Sequence, residues 1–209
     1  TEEQRTRWNH NIHYHRVVLN EVPPGARSGL DVGTGNGLLA TDLAEVVESV
    51  TAIDVDRRVL DEARDGSSSR IRWICGDVMG YPFERASFDV VASVATLHHL
   101  GDPAQALQRC ADLTAPGGAL IVVGLARASR MREDILHLAG AVQHRVLVSR
   151  HGWWEHTAPT VWPPPHTYRE VHAAASRVLP GCRWRLLPMW RYSLVWRKPP
   201  AGASHQMHH

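Results

Sequence analysis

Asp31, Asp54 and Asp77 each close a short apolar run, and the first stands two residues ahead of a turn that carries Gly33, Gly35 and Gly37. A glycine-rich turn between strand and helix lets backbone approach a ligand closely and aims free N–H groups at it. A pyrophosphate wants glycine at the first, third and sixth positions of such a turn. Here the sixth position is Leu38, and Asp31 would repel phosphate. An acid in that place can attract an ammonium group or orient water around one, so the turn suits a ligand with a zwitterionic tail. Asp54 follows the turn by about twenty residues, where a strand-end carboxylate can take both ribose hydroxyls. Val55 then lies beside a base, and Asp56 is read as the cap of the next helix. Asp77 can accept from the exocyclic amine of adenine while the N–H of Val78 donates to a ring nitrogen. Each acid also has a plainer reading: Asp54 and Asp56 as helix caps, Asp77 as an Asx turn after Gly76.

The elements that must position these groups are legible in outline. Ser28–Val32, Val50–Ile53, Arg70–Cys75 and Phe88–Val94 read as strands, and Leu38–Glu48 as a helix with Leu39, Leu43, Val46 and Val47 on one face. Asp102 and Pro103 open a helix whose buried face is Ala106, Leu107, Cys110 and Leu113. Pro116-Gly117-Gly118 then turns the chain into a fifth strand, Ala119–Leu125. An amphipathic helix through Met131–Val146 and a Trp- and Pro-rich stretch follow. Tyr168–Leu179 reads as the last helix, and Arg183–Leu187 and Arg191–Arg197 as two strands with Trp inward and Arg outward. Ligands in open α/β sheets bind outside the carboxyl ends of the strands, which aims the main-chain carbonyls of Val94 and Ala95 at the site.

Five stretches taken together resemble the class I S-adenosylmethionine (SAM) methyltransferases, of the bacterial type 11 branch. They are LDVGTGNG (30–37), VTAIDVD (50–56), CGDVMGYPF (75–83), FDVVASVATLHHL (88–100) and LTAPGGALIVV (113–123). The resemblance covers about Leu30 to Leu125 and returns more loosely at Tyr192–Arg197. It implies a Rossmann-like α/β fold with a seven-stranded, mostly parallel sheet in the order 3-2-1-4-5-7-6, the last strand antiparallel and helices on both faces. It implies SAM as cofactor and S-adenosylhomocysteine (SAH) as its product. The cofactor-binding set is then Asp31, Gly33, Gly35, Asp54, Val55, Asp77, Val78 and Val94. In this family an N-terminal helix often folds over the cofactor, which adds Tyr14 and His15, and more weakly His10; the alternative is ordinary surface histidines on a cap helix. A metal set from His10, His13 and His15 is disfavoured, because their spacing does not gather them on one helical face.

The expected reaction is in-line transfer of the sulfonium methyl to an O, N or C atom of a small, partly aromatic acceptor. Alignment and exclusion of water supply much of the catalysis in such a displacement. His98 or His99 is the candidate base where the acceptor must lose a proton, packing being the other reading of that LHHL turn. Trp153, Trp154, Glu155 and His156 are the candidate acceptor contacts, in a segment 126–166 read as a lid; their alternative role is to pack that segment onto the core. The alternatives to an enzyme of this kind are a SAM/SAH-binding module without turnover, an RNA methyltransferase, and an NAD-linked oxidoreductase.

At 209 residues the chain fits one α/β domain over 1–200, with a cap at 1–27 and a tail at 201–209. The formal charge of +2 encodes no strong pull toward nucleic acid or membrane, and no NPPY-type motif of nucleobase methylation is present. The alternation of Arg with Trp near the end is explained by period-two strands without invoking RNA. Three scattered cysteines, Cys75, Cys110 and Cys182, fit packing roles in a reducing, cytoplasmic setting. Oligomeric state is not legible from the sequence.

Overall fold

Ser28–Val32 (β1), Ser49–Asp54 (β2), Ile71–Cys75 (β3) and Phe88–Val94 (β4) are near-continuous apolar runs that lie parallel to one another. Such runs are stable only when both faces are covered. The computed structural model describes residues 9–65, 67–129, 163–188 and 190–202. Thr114–Leu125 (β5) joins β4 in parallel, Arg191–Arg197 (β7) pairs antiparallel with β5, and Arg183–Leu187 (β6) closes the edge. The sheet is seven-stranded in the order β3-β2-β1-β4-β5-β7-β6. That is the order the sequence resemblance implied.

Three helices illustrate how local chemistry sets the connections. Arg57–Arg64 begins where the Asp56 side chain accepts from the N–H groups of Arg58 and Val59, which satisfies two orphan donors. Pro103–Leu113 begins on Asp102 with Pro103 in its first turn, and it buries Ala106, Leu107 and Cys110. Tyr168–Val178 starts on a reciprocal capping box between Thr167 and Glu170. The helix after the glycine turn, Leu38–Ala44, is shorter than the apolar periodicity suggests. Val46, expected on its inner face, is exposed instead.

Three further expectations need correction. β5 starts at Thr114 rather than Ala119, because Thr114 already pairs with Phe88; the Pro-Gly-Gly turn survives as a register irregularity inside the strand. Cys75 is exposed at the end of β3, where its thiol faces the Val55 carbonyl, so it does not pack a core. Arg191 does not point outward: it is 6 % exposed, because the N-terminal segment lies over the start of β7.

That segment is two short helical pieces, His10–His13 and His15–Leu19, interrupted at Tyr14. The Tyr14 hydroxyl donates to the Pro188 carbonyl at 2.8 Å, and the Glu21 carboxylate accepts from Arg183 and Arg197 at 2.6 and 3.1 Å. The first described residues are thereby tied to the last two strands. Among the described residues no helix is long and apolar enough to cross a membrane.

Candidate active site

A crevice of about 590 Å³ opens at the carboxyl ends of the central strands, lined by the β1 turn, the ends of β2 and β4, the 76–79 turn and the N-terminal segment. Its size falls within the range of about 300–1,000 Å³ usual for small-molecule sites.

The glycine turn forms its floor. Gly33, Gly35 and Gly37 all have positive φ, at 70°, 51° and 73°. A Cβ on Gly33 would sit 2.1 Å from Thr96, and one on Gly37 would sit 2.2 Å from the Trp73 ring, so neither position tolerates a side chain. Thr96 fixes the facing loop by donating to the Gly33 and Val94 carbonyls. The N–H groups of Gly33 and Thr34 return to the Ile53 carbonyl, which locks the turn against β2.

Asp31 is 1 % exposed, and burial pushes its carboxyl up to about 6. The Thr34 hydroxyl donates to it at 2.6 Å and opposes that shift. Asp54 is held from two sides, with one oxygen accepting from Gly35 N–H at 2.9 Å and the other from Asp56 N–H at 3.0 Å. Its carboxylate is thus pre-oriented on the crevice wall. Asp77 accepts from Met79 N–H at 2.9 Å, an Asx turn that engages one oxygen. Val55 is 70 % exposed on the same wall, beside Val78 and Gly76.

Beyond β4 the chain makes a single 3₁₀ turn, Leu97–His99, after Ala95, whose φ of 58° is unusual for a residue with a Cβ. His98 and His99 both line the crevice, with ring centroids 4.1 Å apart. Burial, then the neighbouring His99 and Arg191, push His98 down to about 4; burial also lowers His99. His98 Nδ1 has no hydrogen-bond partner among the described residues.

Against this geometry, a model of a methyltransferase domain matches residues 30–122. An uncharacterized methyltransferase of Mycobacterium tuberculosis is 41% identical over 193 residues, which is 92% of this chain and 98% of that protein. This chain belongs to the methyltransferase family. A solved SAM-dependent methyltransferase from Aquifex aeolicus shares the fold at a TM-score of 0.60 and 17% identity, covering 88% of each chain. The [4+2]-cyclase SpnF matches at a TM-score of 0.66 and 17% identity, over 90% of this chain and 81% of that one. At such identities the likeness concerns the fold alone.

In this methyltransferase the crevice brings together Asp31, Gly33, Gly35, Asp54, Val55, Asp77, Val78, Val94, His15, His98 and His99. His15 lines it with one ring nitrogen already committed, Nδ1 donating to Asp42 at 2.7 Å. Tyr14 is not among the lining residues; its hydroxyl is spent on Pro188, and burial raises it to about 12. Trp153, Trp154, Glu155 and His156 lie outside the described residues. The ends of the segment that carries them do meet. Arg127 and Thr167 form a bridge, and His166 donates to the Gly101 carbonyl near the His98 turn.

Sequence reasoning missed Asn9, Asn11 and Arg191, all of which line the crevice. Asn9 caps the first helical piece through the N–H groups of Asn11 and Ile12, a motif that the letters Asn-His-Asn-Ile could have suggested. Nothing in the sequence around Arg191 distinguishes it from Arg197.

Proposed function

We propose that this methyltransferase uses SAM and passes its methyl to a small acceptor, leaving SAH. The observation that carries the reading is the Asp54 carboxylate, clamped by the N–H groups of Gly35 and Asp56 over a turn where a Cβ at Gly33 has no room. That is a ready grip for a vicinal diol beside a backbone cradle, and it fits an adenosine with an amino-acid tail. When bound, SAM supplies a methyl on a positively charged sulfur, and that charge is lost as the methyl moves.

The residues divide the work. Asp54 takes the ribose hydroxyls, Val55 and Val78 flank the base, and the free oxygen of Asp77 accepts from its amine. Asp31 and the Gly33 turn hold the ammonium end of the tail. Gain of that counter-charge favours the ionised form of a carboxyl that burial otherwise raises. His98 stays neutral well below pH 7, and with its affinity for protons pushed down to about 4 it is a weak base. It serves better as a hydrogen-bond partner that orients the acceptor, so the favoured acceptor atom enters with its lone pair already free.

Calorimetry with SAH, followed by mass spectrometry of acceptor mixtures incubated with SAM, tests the proposal. The expected result is SAH binding together with a product heavier by one methylene. Failure to bind either SAM or SAH would overturn it, and binding without any transfer would leave a cofactor-binding module. Steep salt-dependent RNA affinity would point to RNA as the acceptor.

A further inference from the structure

We infer that Arg191 is an anion-binding group at the acceptor end of the crevice, and that the methyl acceptor carries a carboxylate. This rests on the methyl-transfer reading above. The guanidinium lines the crevice and is almost fully buried. Its Nη2 donates to Asn11 Oδ1 at 2.8 Å, while Nε has no partner among the described residues. None of the ion pairs among the described residues includes it. The groups that favour its charge are the hydroxyls of Tyr14, which burial raises to about 12, and Tyr168; neither is a carboxylate. A buried cation with no counter-charge among the described residues is costly, and a methionine or leucine would fill the same space without that cost. Such a group makes sense where a ligand brings the missing anion.

The form of the free donors narrows the anion. Nε–H lies beside Nη2, which carries two hydrogens of which Asn11 takes one, and this side-on fork matches a carboxylate held by two parallel bonds. The position narrows the source. Arg191 opposes Leu125 at the end of β5, and β1 lies three strand spacings away, about 14 Å. The arginine is thus rooted on the far side of β4 and β5 from the β1 turn on which an amino-acid tail would sit. His98, whose proton affinity Arg191 depresses, follows β4 in between. The guanidinium consequently borders the part of the crevice across His98 from the β1 turn, where an acceptor would enter.

The test uses the full chain loaded with SAH and titrated with benzoate, benzamide and phenylphosphate, beside Arg191→Met and Arg191→Lys. Benzoate should bind and benzamide should not. Arg191→Met should lose benzoate affinity by about tenfold or more, keep SAH affinity within about twofold, and melt no lower than wild type. Arg191→Lys, which keeps the charge and loses the fork, should fall between. Equal binding of benzoate and benzamide, no benzoate binding by wild type, or a preference for phenylphosphate would overturn the carboxylate assignment. Loss of SAH affinity in Arg191→Met would make the cofactor's own carboxylate the partner and overturn it too. If Arg191→Met melts far lower, the arginine is structural, and the benzoate–benzamide comparison on wild type still decides. Wild type that fails to bind SAH would instead remove the methyl-transfer reading beneath it.

Discussion

On the β1–β3 side of the crevice the charged groups are carboxylates already engaged by backbone N–H groups, Asp54 and Asp77 among them; on the β7 side the charged group is a guanidinium whose Nε is unengaged among the described residues. The first side is built from one contiguous run of chain, 31–79, and its polar atoms are fixed by hydrogen bonds a few residues long or between adjacent strands. The second is assembled from Asn11, the His98 turn and Arg191, which only the finished fold brings together. The difference teaches where variation can enter. On the proposed reading, a pre-organised cofactor half would serve any acceptor, whereas an acceptor half could be re-specified by changing single residues at its rim.

Four measurements would break or sharpen that division, beginning with the largest. Gly33→Ala forces a Cβ into Thr96 at positive φ, so SAH affinity should fall by more than about a hundredfold with a lowered melting temperature. Retained affinity would mean that the turn is not the donor cradle.

Asp31→Asn separates stability from function. Because burial raises the folded carboxyl from 3.8 to about 6, the native state holds its proton more tightly than the unfolded chain, and stability falls as pH rises between those values. Removing the charge should therefore stabilise the apo protein by on the order of 3 kcal/mol above pH 6, with the gain vanishing toward pH 4. SAH affinity should fall in the same variant. Chemical denaturation at pH 7.5 and 4 checks the first expectation, and calorimetry the second.

Asp54→Ala should cost SAH binding about 2 kcal/mol, roughly thirtyfold, without affecting benzoate in the SAH-loaded protein. A matching loss of benzoate would join the two halves into one unit. The smallest effect belongs to His98→Asn, which should lower turnover by about tenfold or less and leave SAH affinity unchanged. With His98 shifted from 6.5 to about 4, the unfolded chain takes up that proton first on acidification, so this residue erodes stability between those pH values and the variant should show a shallower acid slope. An acid limb near 6.5 in the wild-type rate profile that disappears in His98→Asn would restore a general-base role.

The carboxylate-lined half of the crevice was legible because each of its groups is announced locally. Asp31 stands two residues before Gly33 and Asp54 ends an apolar run, and strand ends adjacent to tight turns are where ligands meet backbone. The sheet order followed from five ordered motifs. Arg191 was not legible, because period-two alternation places it with Arg197 and the residue that partners it lies 180 positions earlier. The hydrogen bond from the Tyr14 hydroxyl to the Pro188 carbonyl was hidden for the related reason that its partner lies 174 positions away. The start of β5 was hidden by a Pro-Gly-Gly turn that the strand tolerates through a shift in register.

The bonds from Tyr14 to Pro188 and from Glu21 to Arg183 and Arg197 also set an order of assembly. During synthesis the helical pieces at His10–His13 and His15–Leu19 emerge well before the partners that seat them, Arg183, Pro188 and Arg197. The wall that carries Asp31, Asp54 and Asp77 can take shape while translation continues. The rim around Arg191 must wait for the final strands, so a nascent chain could hold its cofactor before it could select what to methylate.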